Sequence, residues 1–278
     1  EMPETSAYTP TSIKELKAAD PLEGLTLMQP PTANNSGTAN LSYPIEIPAG
    51  RQGMQPNLAL TYSSSGGNGW LGVGWDISIP SITVETRWGV PRYDQSKESE
   101  VYVYEGEQLV TKDGNGDFRE MPHRTKNWTN RHDLDQDGYE QFFPRKNEAF
   151  DSIVRHGNGQ DNYWWSVTHK NGVTDYYGKY EADSIVNNAC VLRAGADNIH
   201  GAIAHWALAE SVDPFGNSVR YRYKVEYHSG IAGSQNPGRQ IYIDTIFYTA
   251  KGDDPGKYKI VFTRQQGRED ITIAANRG

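Results

Sequence analysis

The stretch that decides the fold, residues 40–80, reads NLSYPIEIPAGRQGMQPNLALTYSSSGGNGWLGVGWDISIP. Apolar side chains alternate with other residues in short runs, as in Leu58, Leu60 and Tyr62. A period of two is typical of strands that bury one face. Pro48 and Pro80 stand at the ends of such runs, where a residue without an N–H does not interrupt a sheet ladder. The stretch therefore predicts short strands joined by tight turns.

The same period of two continues beyond this stretch, where it places Val101 and Val103 on one face of a strand, and through the second half of the chain. Asn171-Gly172 lies between two alternating runs, Tyr163–His169 and Val173–Gly178, and favours the hairpin turn whose twist matches that of its strands. Further strand pairs are predicted over residues 206–227 and 240–264. We expect an all-β, mainly antiparallel fold of hairpins that form a large sheet, a sandwich or a partial shell. At most one short helix is expected, near the N-terminus.

The domain organisation follows from changes in composition along the chain. Residues 1–38 are rich in turn formers and predict a partly extended arm, in which Ser12–Ala19 has the capping pattern of a short helix. Residues 39–278 are expected to form one β module. Within it, residues 94–137 are acidic and rich in turn formers, which predicts a loop-rich insert. We interpret the chain as a fragment of something longer.

Composition excludes several classes of function. The 278 residues carry a net charge of −8, which disfavours a nucleic-acid partner because phosphate binding needs a basic surface. The sequence has no run of the ~18 apolar residues that a membrane-spanning helix needs. Cys190 is the single cysteine, so the chain forms no internal disulfide and has no cysteine-based metal site. In its apolar context, Cys190 is expected to be a packed side chain.

Two patterns resemble catalytic or cofactor-binding motifs, but the sequence around each of them does not support that function. Gly67–Gly72 satisfies the pattern G-x-G-x-x-G, but a dinucleotide site needs a helix to begin there. The residues that follow are predicted to form a strand that ends at Pro80. Arg51, Ser63–Ser65 and the Glu98/Glu100 pair follow the order of an ADP-ribosyltransferase site. The serines lead straight into the glycine cluster, and the two glutamates are expected in a hydrophilic loop, which argues against a shaped nicotinamide pocket. We therefore predict no cofactor and no catalytic residue in this chain.

One acidic loop is a candidate calcium site. Asp133, Asp135 and Asp137 stand at alternate positions before Gly138, as in loops that supply oxygen ligands to Ca²⁺. The twelfth position of the loop is Pro144, where such loops carry a bidentate glutamate. An ordinary turn stabilised by the aspartate side chains is the competing interpretation.

Ten motifs in a fixed order carry a family resemblance over roughly residues 38–278. They are Tyr43–Arg51, Pro56–Leu58, Leu60–Ser64, Gly69–Trp75, Gly89–Asp94, Ile153–Gly157, Asn162–Val167, Lys170–Gly172, Ala204–Leu208 and Asp213–Asn217. In these motifs the chain resembles the SpvB-like N-terminal module. That module opens plasmid virulence proteins, the B components of insecticidal toxin complexes and many Rhs (YD-repeat) proteins. The acidic insert and the lack of tandem YD repeats depart from the family pattern.

The resemblance implies a structural role in virulence. Relatives of this type contribute to a β-sheet scaffold or shell that carries or encloses a C-terminal effector, and any catalysis lies in a later domain. The implied partners are downstream domains of the same polypeptide and other toxin-complex subunits. The implied location is secreted, extracellular or on the bacterial cell surface, with delivery to the host cytoplasm as a further possibility.

Two other functions remain open from the residues alone. A surface module that binds glycan or protein through exposed Trp and Tyr is the main alternative, and an enzyme associated with ADP-ribosyl transfer is a lesser one. Trp164 and Trp165 help to discriminate, because neighbours in a strand face opposite sides. One of the two is expected to be buried and the other to face solvent or an interface.

Overall fold

The computed structural model shows a chain made almost entirely of antiparallel strands. In chain order they are β1 (Asn40–Pro44), β2 (Ala59–Ser63), β3 (Asn68–Gly69), β4 (Gly72–Val73), β5 (Trp75–Ile77), β6 (Ser81–Val84), β7 (Tyr102–Tyr104), β8 (Glu107–Val110), β9 (Tyr139–Pro144), β10 (Ser152–His156), β11 (Trp164–Thr168), β12 (Thr174–Tyr177), β13 (Val191–Arg193), β14 (Ile203–Val212), β15 (Asn217–His228), β16 (Gly238–Lys251) and β17 (Tyr258–Val261). The structure describes residues 37–134, 138–146, 151–194, 201–228, 238–252 and 254–264.

Helices are short in the described part of the chain. The α-helix α1 spans Arg131–Leu134, and 3-10 turns span Pro122–Arg124 and Asn188–Cys190. Among the described residues, none of the helices is long and apolar enough to cross a membrane. The predicted helix at Ser12–Ala19, and nearly all of the predicted arm over residues 1–38, lie outside the described residues. The expectation of an all-β, antiparallel fold is confirmed.

Eight strands close into a barrel. Strands β6 to β12 follow one another as neighbours, and β14 joins the two ends of this series. It pairs with β6 through His205–Ala207 and with β12 through the segment from Leu208 to Val212. Closure removes the free edges of these strands, which would otherwise offer unpaired N–H and C=O groups to other chains. The short β13 pairs with β14 beside the barrel.

Four aromatic side chains from alternate barrel strands fill the interior. Tyr102 of β7, Phe142 of β9, Trp165 of β11 and Trp206 of β14 pack edge to face, with ring centroids 5.0 to 5.9 Å apart. Small barrels have space inside only for side chains, and residues from alternate strands share one layer. The interior is therefore a packed core.

The sheet extends beyond the barrel through β14. At Glu210–Val212 this strand pairs with β12 on one edge and with β15 on the other. Strands β15 and β16 form a long ribbon over Asn217–His228 and Gly238–Lys251, and β17 is the next strand outward. The three-stranded ribbon thus leaves the barrel wall as a continuation of the same sheet. The predicted hairpins over residues 163–178 and 206–227 are confirmed.

The stretch at residues 40–80 forms a separate five-stranded sheet that packs on this ribbon. Its order is β1-β2-β5-β4-β3, and Trp70 lies against Tyr223 of β15 with ring centroids 6.3 Å apart. Gly74 shows why the stretch is rich in glycine. Its φ is +77°, and a Cβ there would lie 2.7 Å from the carbonyl oxygen of Ser63 and 2.8 Å from the Tyr62 ring.

The described part of the 94–137 segment, residues 94–134, contributes directly to the barrel wall. It contains β7 and β8 as well as the loops around them. The sequence pattern placed Val101 and Val103 on one buried face, whereas in β7 Tyr102 and Tyr104 point into the core and Val103 faces outward. Val101 packs in a smaller cluster with Val110 and Met121. The sequence prediction for β7 was wrong because it assigned the two valines to the buried face and the two tyrosines to the outward face.

Candidate functional site

Arg155 of β10 buries its guanidinium completely inside the barrel. Because β10 alternates, Ile153 and Arg155 share the inward face. A lone buried cation would be very costly, so its partners decide whether the fold tolerates it. Its Nη1 donates to Glu98 Oε2 at 2.9 Å and to the Tyr102 hydroxyl at 3.1 Å. The guanidinium also lies 4.1 Å from the centroid of the Tyr163 ring, a favourable cation–π contact.

A second buried arginine, Arg131 of α1, reaches the same carboxylate. Its Nη1 lies 3.4 Å from Glu98 Oε2 and donates to the Tyr163 hydroxyl at 2.7 Å. Its Nη2 donates to the carbonyl oxygens of Asp94 and Lys97 at 2.9 and 2.6 Å. Burial alone would lower the pKa of Arg131, but the negative charge of Glu98 raises it above its ordinary value. Arg131 is therefore a permanent cation that holds the 94–97 loop.

Glu100 completes this arrangement from the other side of the loop. Its Oε1 accepts hydrogen bonds from the backbone N–H groups of Arg92 and Tyr93 at 3.1 and 2.6 Å and from the Ser99 hydroxyl at 2.8 Å. Its Oε2 accepts from Gln160 Nε2 at 3.0 Å. Burial raises the pKa of Glu100 above its usual value, against the opposing effect of these hydrogen bonds.

We call Glu98, Glu100, Arg131 and Arg155 the ion cluster. Two carboxylates face two guanidinium groups, so their formal charges balance, and Arg131 Nη2 also lies 3.7 Å from Glu100 Oε2. The cluster joins β10 and α1 to the segment that leads into β7. The buried ion pairs of the cluster hold the 92–100 segment against the barrel.

The residues that imitate an ADP-ribosyltransferase site have other partners in this structure. Glu98 and Glu100 do lie in a loop, as expected, but the hydrophilic surroundings expected for that loop are wrong, because both side chains are buried in the ion cluster. Arg51 forms an ion pair with Asp254 at 2.9 Å, in the loop between β16 and β17. Ser63 ends β2, and its hydroxyl lies 3.2 Å from that of Ser65. Each group is therefore engaged in a separate local contact.

The glycine pattern and the single cysteine have structural positions. Gly67–Gly72 leads into β5 without any helix, as the sequence predicted. Cys190 is buried, and burial raises the pKa of its thiol to about 12, which keeps it protonated at neutral pH. Its expected role as a packed side chain is confirmed.

Only part of the predicted calcium loop lies in the described residues. Asp133 is there, on α1, and its Oδ2 accepts a hydrogen bond from Asn130 Nδ2 at 3.1 Å. Asp135 and Asp137 lie outside the described residues. Within the described ranges, no group of three or more His, Cys, Asp or Glu side chains is arranged to hold a metal ion. The calcium loop stays a prediction.

The outer face of the barrel carries Trp164. Its neighbour Trp165 is fully buried, so the two tryptophans do face opposite sides. The indole of Trp164 stacks on His156 at a centroid distance of 3.8 Å, and Lys179 Nζ lies 4.3 Å from the ring. Burial and the charge of Lys179 lower the pKa of His156 to about 4. Trp164 is therefore engaged by neighbours in its own chain.

His169 joins two acidic side chains at the end of the barrel hairpin β11–β12. Its Nδ1 lies 3.1 Å from Asp151 Oδ2, and its Nε2 lies 3.0 Å from Asp175 Oδ2. The hydrogen bond with Asp175 is the main cause that raises the pKa of His169 from 6.5 to about 9. Burial opposes this effect, and the two carboxylate charges support it. The imidazole is therefore protonated at neutral pH and bridges both carboxylates.

We predict that this bridge makes stability depend on pH in the alkaline range. Because the folded pKa of His169 is raised, its contribution is complete below pH 6.5 and is lost as pH rises to about 9. The contribution is at most about 3–4 kcal/mol, since the pKa rises from 6.5 to about 9 and each pH unit is worth about 1.4 kcal/mol. Urea denaturation of the wild type and of His169→Gln between these pH values measures it. The wild type should lose stability relative to the variant, and identical slopes would contradict the bridge.

Sequence reasoning missed Arg131 and Arg155 as partners of the acidic residues. A signal for Arg155 was present, because the alternation of Ile153, Val154 and Arg155 placed the arginine on the buried face. Arg131 had no such signal, since its role depends on where α1 lies relative to the barrel.

Comparison with known proteins agrees with this architecture. Residues 33–270 match the family described as SpvB, Salmonella virulence plasmid 65kDa B protein. The mono(ADP-ribosyl)transferase SpvB of Salmonella typhimurium is 32% identical over 195 residues, which are 68% of this chain and 30% of that protein. The protein of the same name in Salmonella enteritidis gives the same identity and coverage. The chain thus spans less than a third of the length of these relatives.

Solved structures of two proteins have folds similar to that of this chain. The N-terminal domain of the effector protein SpvB from Salmonella typhimurium strain LT2 is similar at a TM-score of 0.56 and 25% identity, covering 76% of this chain and 65% of that one. The TcdB2-TccC3 structure is similar at a TM-score of 0.57 and 25% identity, covering 80% of this chain and 10% of that one. A family match that spans most of the chain establishes membership. The chain belongs to the SpvB family.

Proposed function

We propose that this chain is a non-catalytic structural module of a secreted toxin-like protein of the SpvB or Rhs type. It would contribute to a β-sheet scaffold or shell that carries or encloses a C-terminal effector. The observation that carries the proposal is the filled barrel, in which the aromatic layer and the ion cluster occupy the interior. A barrel filled in this way is suited to be a rigid part of a wall.

The sheet beyond the barrel supports the same role. The β15–β16 ribbon continues from the barrel strand β14, and the sheet of residues 40–80 packs against it. The similarity to TcdB2-TccC3, of which this fold forms a small part, supports a place within a larger assembly. The proposed partners are downstream domains of the same polypeptide and other toxin-complex subunits. The proposed location is outside the bacterium or on its surface, with delivery into host cells.

Protease protection in the complete protein tests this proposal. The full-length polypeptide that contains this chain is compared with a form from which residues 37–264 are deleted, and both are digested with trypsin. We expect the C-terminal region to resist cleavage in the intact protein and to be degraded in the deleted form. Equal sensitivity in the two forms would count against a scaffold or shell.

A surface-binding module is the second candidate, and one loop favours it. Trp88 is 57% exposed and Val90 is 78% exposed, close together in the loop between β6 and β7. Exposed aromatic groups are typical of binding surfaces, although the Trp88 ring stacks on His123 at 4.4 Å. A glycan array probed with the chain tests this candidate. Binding that disappears in Trp88→Ala would support it, and silence across the array would remove its glycan form.

The enzyme hypothesis has its own direct test. The relatives are named mono(ADP-ribosyl)transferases, but this chain matches only 30% of their length. We propose that catalysis in such a protein lies outside this chain. Incubation of the chain with NAD and a host-cell extract should give no ADP-ribosylated product, and a labelled product that is lost in Glu98→Gln would reverse the assignment.

A further inference from the structure

The loop between β6 and β7 carries two apolar side chains into solvent. Trp88 is 57% exposed and Val90 is 78% exposed, and Gly89 lies between them with a φ of +126°. Apart from its chain neighbours, no heavy atom would lie within 4 Å of a Cβ on Gly89, so this end of the loop stands in open space. Single exposed apolar side chains are normal, whereas adjacent ones mark sites of contact with a protein or a membrane. We call Trp88, Gly89 and Val90 the apolar tip.

The apolar tip is held in place by an imidazole beneath it. The Trp88 indole stacks on His123 with ring centroids 4.4 Å apart and planes 6° apart. His123 Nε2 accepts a hydrogen bond from Arg124 Nε at 3.3 Å. Burial lowers the pKa of His123 below its usual value, and the positive charges of Arg124 and Arg145 lower it further, so the ring is neutral at pH 7. Trp88 is therefore presented in one orientation, which reduces the entropy lost on binding.

Three arginines surround the apolar tip and keep their charge available. Arg92 follows Val90 by two residues, and its exposed guanidinium lies 4.7 Å from the centroid of the Trp128 ring. Arg124 and Arg145, which both act on His123, are exposed as well. Among the described residues, no carboxylate forms an ion pair with any of these three arginines. We call Arg92, Arg124 and Arg145 the basic rim.

The charge of this surface is opposite to that of the whole chain. Residues 85–92 and 122–128 hold four Arg or Lys residues and one Glu, an excess of three positive charges, whereas the chain carries a net charge of −8. The one glutamate, Glu85, is already paired, because it accepts hydrogen bonds from Arg87 Nε and Nη2 at 2.7 and 2.5 Å. A basic patch on an acidic protein attracts an anionic partner to that patch and orients the molecule towards it.

We propose that the apolar tip and the basic rim bind the surface of a lipid bilayer that contains anionic lipids. The three guanidinium groups contact the anionic headgroups, Trp88 lies at the headgroup level, and Val90 reaches the boundary with the acyl chains. A bilayer matches both parts of the surface, because its negative charge lies directly above an apolar phase. An acidic polypeptide matches only the charge. This inference does not depend on the scaffold role, and it gives the Trp88 loop a partner other than a glycan.

Flotation with vesicles of two compositions tests the proposal. The chain is mixed with vesicles of phosphatidylcholine alone or of phosphatidylcholine with phosphatidylserine. We expect binding to the anionic vesicles to be at least about tenfold stronger, because each basic residue near an anionic surface strengthens binding about fivefold. The preference should shrink at high salt, which screens exposed charges. Equal binding to both vesicles, or binding to neither, would overturn the proposal.

A pair of arginine variants shows whether the basic rim is responsible. Arg92→Gln should weaken binding to the anionic vesicles about fivefold. Arg222→Gln is the matched control, because Arg222 is also exposed and also lies on an aromatic ring, 5.0 Å from the centroid of Phe247, but stands on β15. It should leave binding unchanged. An equal loss in the two variants would mean that only the net charge of the chain matters, which contradicts a localised site.

A pair of aliphatic variants shows whether the apolar tip enters the bilayer. Val90→Ser leaves every charge in place and should still weaken vesicle binding by at least about threefold, because the valine no longer gains from leaving water. Ile185→Ser is the control, since Ile185 is equally exposed, at 78%, in the loop between β12 and β13. Full vesicle binding by Val90→Ser would show a purely electrostatic contact. It would overturn the bilayer in favour of an acidic polypeptide, for which poly-L-glutamate is the probe.

Discussion

Replacement of Arg155 by alanine should lower the free energy of unfolding by about 3–5 kcal/mol, which is the cost of removing one partner of a buried ion pair. The substitution leaves Glu98 buried with only the longer contact to Arg131, and it empties the space against the Tyr163 ring. Most domains have a total stability of about 5–15 kcal/mol, so the loss is a large part of the whole. Urea denaturation followed by tryptophan fluorescence measures it.

Arg222→Ala is the matched control for this prediction. Arg222 is exposed on β15, and its guanidinium lies 5.0 Å from the centroid of the Phe247 ring. Arg222→Ala therefore removes the same side chain and a comparable ring contact, but at the surface. Its cost should stay below about 1 kcal/mol. The double variant Glu98→Gln/Arg155→Met removes both charges and should be more stable than Arg155→Ala. Equal costs for Arg155→Ala and Arg222→Ala would show that the ion cluster does not hold the barrel together.

Trp165→Ala should cost about 3–5 kcal/mol, as is typical when a large aromatic side chain is removed from a core. Trp165 contacts Tyr102 and Phe142 at centroid distances of 5.0 Å, and Trp206 at 5.9 Å. Its removal opens a cavity in the middle of the aromatic layer, where the surrounding strands of a closed barrel have little freedom to move inward. The melting temperature and the near-UV circular dichroism of the variant report this change.

The neighbouring tryptophan gives the control. Trp164→Ala removes the same side chain from the outer face, where it stacks on His156 and contacts Lys179. The expected cost is about 1–2 kcal/mol, the value of the ring contacts alone. The pKa of His156 should also change in this variant, which NMR titration can follow. A loss as large as that of Trp165→Ala would mean that the two positions are equally buried in solution.

Local pattern was sufficient to predict most of the strands. The period of two, together with Asn171-Gly172, located β11 and β12 to within a residue or two at their ends. Opposite exposure of Trp164 and Trp165 followed from the geometry of a single strand. The pattern failed at β7, where Tyr102 and Tyr104 compete with valines for the inward face. Tyrosine fits either side of a sheet, so the choice depends on what lies across the barrel.

The sequence by itself determined the all-β class, the hairpins and membership of the SpvB family, because each depends on residues that are close together in the chain. Closure of the barrel and the ion cluster were decided only by tertiary structure. Glu98 and Arg155 are 57 residues apart, and the strands between them must pair before the two charges can meet. A carboxylate in a polar segment looks the same in sequence whether it is solvated or buried against a guanidinium. Only the packing of the 92–100 segment onto the barrel distinguishes the two.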